Sequence, residues 1–203
     1  MRVILASSSP RRREILKLIG LKNFDVIPPS VEERKVKTPG DVKINALLKA
    51  KAVAKMFENS PEEFTVIGSD TAVFLDNIFL GKPKDKTEAE RMLKKLSGRW
   101  HTVYTSAAVI YGKGTKRVSK VKLFSTRVKF ARLTPRALEW YLSTGEPFDK
   151  AGAYGIQGFG AIFIEKLVGD YFTVMGLPAR GLFELLSDLL GEEKVFKILS
   201  TEG

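Results

Sequence analysis

Val3-Ile4-Leu5-Ala6-Ser7-Ser8-Ser9-Pro10 is the stretch on which the architecture turns. Four apolar residues, too few for a buried helix and ended by small polar ones, read as a buried strand. Ser9 then stands as N-cap and Pro10 as the first residue of a helix, where proline's missing N–H is no loss. Ile15, Leu16 and Ile19 form the apolar face of that helix, and Gly20 ends it. A strand running straight into a helix is the opening unit of a sheet with helices packed on it.

The pattern continues outward. Residues 24–27 read as a strand, 28–37 as a polar loop, and Thr38-Pro39 as the cap of a helix reaching about Phe57, with Leu47, Ala50, Ala54 and Phe57 inward. Residues 65–68 read as a buried strand ending in Ser69-Asp70-Thr71. Residues 72–75 and 78–80 flank Asp76-Asn77, a hairpin turn pair. Thr87-Glu88-Ala89-Glu90 has the form of a capping box for a helix ending at Gly98. Residues 100–111 and 117–130 are long strands about a Gly112-Lys113-Gly114 turn. Thr134-Pro135 starts a helix, a Gly-rich stretch over 149–160 leads into a strand over 161–164, and 178–190 and 192–199 are helices. Early strand-helix alternation with a late hairpin predicts a mixed α/β sheet, in one domain over residues 1–203.

Composition narrows the chemistry. With 44% hydrophobic and 28% charged residues the chain has the make-up of a folded domain. Without cysteine there is no disulfide and no thiol nucleophile, and a single histidine, His101, argues against Ser-His-Asp and His-rich metal chemistry. His101 reads as a structural strand residue, and Trp100 and Trp140 as core or lobe-packing groups. The longest uncharged run, residues 151–164, falls short of the ~20 residues of a membrane helix. The apolar stretch after Met1-Arg2 is too short for a signal peptide, so the expectation is a cytoplasmic protein with no membrane partner. Lys and Arg number 34 against 23 Asp and Glu, a net +11, which attracts anions. From Lys113 to Arg132 there are basic residues and no acid, but Val121, Leu123, Val128 and Phe130 sit among them at strand spacing. That favours a solvated sheet face or charged edge strand over a nucleic-acid groove, for which the aromatic platform is thin.

Five segments carry chemistry. At the strand-to-helix junction, free N–H groups, the hydroxyls of Ser7, Ser8 and Ser9 and the forked cations Arg11, Arg12 and Arg13 form an anion site. Three arginines oppose the helix dipole there unless an anion compensates them, so Ser7, Ser9, Arg11 and Arg12 are phosphate-binding candidates. Asp70, in Gly68-Ser69-Asp70-Thr71, can take a proton from water or hold a divalent metal. Glu33, in Val31-Glu32-Glu33, is a second metal-ligand candidate or part of an exposed acidic loop. Lys49 and Lys82 are isolated cations, the latter aimed by Gly81 and Pro83. Gln157, in the Gly-rich stretch, carries the paired donor and acceptor that read a base edge.

Together these segments resemble the Maf nucleotide pyrophosphatases. The resemblance starts at Leu5-Ala6-Ser7-Ser8-Ser9-Pro10-Arg11-Arg12 and continues through Val31-Glu32-Glu33, Lys49-Ala50-Lys51-Ala52, Gly68-Ser69-Asp70-Thr71, Gly81-Lys82-Pro83, Leu96-Ser97-Gly98 and residues 149–158. It ends with Gly169-Asp170-Tyr171 and Val174-Met175-Gly176-Leu177-Pro178, so it spans nearly the whole chain. The resemblance implies cleavage of a nucleoside triphosphate between its α and β phosphates, giving monophosphate and pyrophosphate, assisted by a divalent metal (magnesium, manganese or cobalt). It implies the elongated mixed sheet of inosine triphosphate pyrophosphatases, with a cleft between two lobes. A homodimer is a separate expectation for the chain. Asp70 matches the family's proton acceptor, and Glu33, Lys49 and Lys82 match further polar residues implicated in catalysis. Arg11, Thr71 and Gln157 match the branch that prefers dTTP and UTP over 7-methyl-GTP, with Arg11 on either phosphate or base. Ser69 departs from the family's common alanine and leaves Asp70 in place. Two rivals remain: a non-enzymatic nucleic-acid-binding or septum-regulating protein, and a pyrophosphatase clearing modified nucleotides.

Overall fold

The computed structural model describes residues 1–199. β1 (Arg2–Ala6) runs into α1 (Pro10–Leu18), and β2 (Asp25–Val26) lies parallel to β1. α2 (Pro39–Lys55) precedes β3 (Phe64–Leu75), which is parallel to β1 over residues 64–68. β4 (Ile78–Leu80) folds back on β3 through Asp76 and Asn77, whose φ angles of 49° and 63° are those a tight primed turn requires. There follow α3 (Lys86–Leu96), β5 (Trp100–Lys113), β6 (Lys116–Phe130), α4 (Pro135–Ser143), β7 (Ile164–Val168), α5 (Tyr171–Met175), α6 (Ala179–Leu190) and α7 (Glu192–Ile198). The seven strands form one mixed sheet, ordered β2-β1-β3-β5-β6-β7 with β4 on β3, as the mixed α/β expectation requires.

Local corrections have physical causes. Residues 65–68 and 72–75 are not separate strands, because β5 pairs with β3 continuously from Phe64 to Phe74 and carries Ser69-Asp70-Thr71 through the pleat. α3 is capped by Asp85, not Thr87: the Asp85 carboxylate accepts from the Glu88 N–H at 2.7 Å, and Glu88 accepts in return from the Lys84 N–H at 2.9 Å. The β5–β6 turn lies at Gly114-Thr115, and Gly112 stays in the strand, where a Cβ would come within 2.4 Å of the Phe64 ring. β7 begins at Ile164, since residues 158–163 form 3₁₀ turns, and α5 is a single turn that periodicity missed. Trp140 is exposed, with its ring edge-on to Phe159 and tilted against neighbouring Tyr141, so it is not a core group.

Apolar packing places the sheet between layers. On one face α2 sets Ala46, Ala50 and Val53 against Ile4, Phe64, Val66 and Ala108. On the other, α1, α6 and α7 cover one end around Leu5, Ile67 and Leu182, while α3 and α4 cover the other around Val73, Leu93 and Phe130. The polar side chains of Ser69, Thr71 and Thr105 lie between those two clusters in sequence register. The basic stretch in and around β6 is spent locally. Lys120 and Lys122 pair with Asp188 and Glu184 of α6, Arg117 donates to the carbonyls of Phe57 and Glu58, and Arg127 stacks over Trp100.

His101 packs edge-on to Phe130 and Tyr154, with Nε2 2.7 Å from the Tyr154 hydroxyl. Burial lowers its pKa from 6.5 to about 4. Between those values the unfolded chain binds the proton and the folded one does not, so stability falls as pH drops through this window. Acidification from pH 7 to pH 4 is expected to remove roughly 3 kcal/mol through this one group. Denaturant midpoints of the protein and of His101→Phe at both pH values check it; equal pH sensitivity of the two proteins would refute it.

Candidate active site

A break in strand pairing locates the site. Gly68 is the last residue of β3 paired with β1, Val73 is the first paired with β4, and β5 holds the opposite edge throughout. Residues 69–72 therefore have no strand neighbour on the β1 side, where β1 gives way to the irregular segment Ser7-Ser8-Ser9. Alternation along the strand sends Asp70 to the face covered by α2 and Ser69 and Thr71 to the other.

On the α2 face, Asp70 and Lys49 are both buried, with Lys49 Nζ 2.8 Å from Asp70 Oδ1. Glu33, from the loop before α2, reaches the same ammonium at 3.0 Å. The loop is held by Asn45, whose side chain accepts from the Arg34 N–H at 2.8 Å and donates to the Arg34 carbonyl at 2.9 Å. The helix lies this close because of Gly68: a Cβ there would stand 2.5 Å from the Ala46 carbonyl oxygen and 2.9 Å from the Ala50 Cβ. Two buried opposite charges are tolerable only when each is well satisfied, and here one ammonium serves two carboxylates.

On the other face, Arg12 donates to three neutral oxygens: the Gly176 carbonyl at 2.8 Å, Ser7 Oγ at 3.0 Å and Thr71 Oγ1 at 3.3 Å. Among the described residues no carboxylate is within ion-pair distance of it. Burial pushes its pKa below the usual arginine range; the negative charge of Asp70 pulls the other way, Arg11 adds to the lowering and Glu33 opposes it. Thr105 supports Thr71 at 3.0 Å, and Ser69 donates to the Gly176 carbonyl at 2.8 Å. Ser9 is the N-cap of α1 by backbone, but its side chain caps nothing; Ser7 Oγ accepts the Ser9 N–H at 3.2 Å.

Arg11 and Gln157 sit on the flank of this region. Arg11 pairs with Asp149 at 3.4 Å, and Gln157 donates to Glu14 at 3.1 Å. Lys82 is exposed on the loop after β4, which is tied down by the Gly152 N–H donating to the Gly81 carbonyl at 3.0 Å. No hydrogen bond or ion pair joins Lys82 to Asp70, Glu33 or Lys49 among the described residues. The Gly-rich stretch is ordered, because Glu146 accepts from the N–H groups of Phe159 and Gly160 and from the Tyr141 hydroxyl. Sequence pattern alone does not single out Glu14, Asp149 or Glu146. Asp149 lay inside a quoted motif, whereas the other two are signalled only by their distant partners. A separate hollow of about 410 Å³, lined by Phe74, Trp100, Tyr104 and Arg127 among others, holds none of the candidate residues.

The family model described as "Maf-like protein" matches residues 2–189. The chain is 46% identical to the dTTP/UTP pyrophosphatase of Thermotoga maritima, covering 92% of this chain and 88% of that one. It is 47% identical to the dTTP/UTP pyrophosphatase of Aquifex aeolicus, covering 93% and 96%. Among solved structures it is similar to the Staphylococcus aureus Ham1 protein, at 18% identity over 95% of this chain and 100% of that one, with a TM-score of 0.46.

Gly68→Ala is expected to force α2 off β3 and lower stability by about 1–3 kcal/mol, as overpacking against rigid backbone does. An unchanged denaturation midpoint would show that this close approach does not position Lys49.

Proposed function

The chain belongs to the Maf-like protein family, and from that premise we propose that it is a nucleoside triphosphate pyrophosphatase that cleaves dTTP and UTP between the α and β phosphates. The observation that carries the reading is that one gap in the β3 edge is bordered by a lysine-held carboxylate on one face and, on the other, by an arginine bonded among the described residues only to neutral oxygens. A triphosphate supplies the anion that Arg12 lacks. Ser7, Ser9 and the free N–H groups at the start of α1 add donors for its oxygens, with Arg11 beside them.

Asp70 takes the proton of the attacking water. Lys49 holds Oδ1, which leaves Oδ2 for that proton, and Glu33 keeps the ammonium in place. Charge builds on the departing pyrophosphate, and Arg12, Lys49 and Lys82 are the cations that balance it. Asp70 and Glu33 are hard carboxylates of the kind that hold a divalent cation, which here would share both of them with the Lys49 ammonium. Magnesium-like ions take one or two carboxylates and fill the rest from phosphate and water. When bound, the cation supplies charge neutralisation to the polyphosphate, with Asp70 and Glu33 holding it. Thr71 and Gln157 read the base.

The local partners of the β6 cations weigh against the non-enzymatic nucleic-acid reading, since those charges are already used within the fold. No helix among the described residues is long and apolar enough to cross a membrane. The reading puts one domain of this family in the cytoplasm with the triphosphate pool, and a homodimer is its proposed assembly.

Asp70→Asn is expected to lower pyrophosphate release ~10²–10⁴-fold at a temperature where the variant is folded, with a reduced melting midpoint because Lys49 keeps only the half-exposed Glu33 as its ionised partner. Turnover close to that of the unmutated protein would remove Asp70 from the mechanism. In a substrate panel dTTP and UTP should lead ATP, GTP and 7-methyl-GTP. A leading guanine nucleotide, or salt-sensitive DNA binding without pyrophosphate release, would reject the assignment.

A further inference from the structure

Arg11 and Glu14 stand one turn apart on α1, and both reach the stretch after α4, Arg11 to Asp149 and Glu14 to Gln157. The second contact orients an amide. A carboxylate only accepts hydrogen bonds, so Gln157 must turn its NH₂ group to Glu14 Oε2, 3.1 Å away. Its oxygen then faces elsewhere, and among the described residues Gln157 Oε1 is buried with no hydrogen-bond partner. A buried acceptor left without a donor is unfavourable, so this atom suits a ligand that brings one. The segment has little freedom to relieve it. Ile156 is buried in the core, and the N–H groups of Phe159 and Gly160 are held by Glu146.

We propose that Glu14 is a positioning residue for base recognition: by holding the NH₂ of Gln157 it presents the amide oxygen to the base, so the site takes a ring N–H and refuses a bare ring nitrogen. This rests on the reading in which Gln157 faces the base. Uracil and thymine carry an N3–H between two carbonyls. Gln157 Oε1 accepts that N–H, and the amide proton not used on Glu14 donates to a flanking carbonyl. Cytosine has a lone pair at N3 and an amino group at C4, the opposite pattern, and sets its N3 lone pair against the amide oxygen. The 5-methyl group that separates thymine from uracil lies outside this pairing, so both bases satisfy it. Guanine offers a similar N–H and carbonyl pair, so this device sorts uracil and thymine from cytosine and not from guanine.

The test compares α,β-methylene-UTP with α,β-methylene-CTP, which resist cleavage, by calorimetry on the full chain, alongside kcat/KM for UTP and CTP. The unmutated protein should prefer the uracil ligand. Glu14→Gln should shrink that preference by about tenfold or more, because a glutamine can meet Gln157 in either orientation. Glu14→Lys should invert it, because an ammonium only donates, draws the Gln157 oxygen to itself and turns the NH₂ toward cytosine N3. Glu14→Asp should keep the order. Glu14 is exposed, so these changes leave the core untouched, and Glu14→Gln carries the test should Glu14→Lys fail to fold. Equal weakening of both ligands with the ratio preserved is what a merely structural glutamate gives, and it overturns the inference. If Gln157→Ala removes the preference while the Glu14 variants keep it, base reading by Gln157 stands and the positioning role falls. If Gln157→Ala leaves the preference intact, or the unmutated chain binds neither analogue, the base-reading assignment falls and the inference with it.

Discussion

A lysine ammonium 2.8 Å from a buried aspartate is the interaction on which the rest of the structure depends. Moving such charges out of water is expensive, and removing one partner leaves the other uncompensated. The pair therefore constrains everything that carries it. α2 must lie directly on β3, which is possible because Gly68 has no side chain to meet Ala46 and Ala50. The loop carrying Glu33 must fold back, which Asn45 ensures by bonding both backbone groups of Arg34. β3 must also continue through Asp70, which its unbroken pairing with β5 secures.

The same strand divides the charges. Its pleat puts Asp70 with α2 and Thr71 with Arg12, and the unpaired edge between β1 and β4 lets both faces meet at one place. Acid and arginine are close enough for the carboxylate's field to act on the guanidinium, yet they do not form an ion pair. Fixed charges act most strongly when they are held in place before a ligand arrives. The net charge of +11 is a poorer guide, because many of the basic residues near β6 are tied to α6, to carbonyls or to Trp100.

Much of the architecture was legible from local signals. The apolar run before Ser7, proline at the first position of α1 and the Asp76-Asn77 turn each depend on near neighbours, and each took the form expected. The errors arose where a distant partner outweighed the local pattern. Ser69-Asp70-Thr71 has turn chemistry but lies in a strand, because β5 pairs with every residue of it. Glycines over residues 149–160 suggest looseness, yet Tyr141 and Glu146 take up their N–H groups and fix them. Thr87 looked like a cap, but Asp85 carries the carboxylate that reaches the Glu88 N–H.

By itself the chain of residue types determined the kind of chemistry available: carboxylates, lysines and arginines in ordered motifs, with no thiol and a histidine buried away from them. Residue type and near-neighbour spacing are enough for that, because charge and hydrogen-bonding capacity belong to the side chain. Only the tertiary structure decided the pairings. Lys49 with Asp70, Arg12 with Gly176, and Glu14 with Gln157 lie 21, 164 and 143 residues apart along the chain. Such contacts form when packed elements bring remote segments together, and hydrogen bonds depend on distances of tenths of an ångström that no sequence spacing encodes.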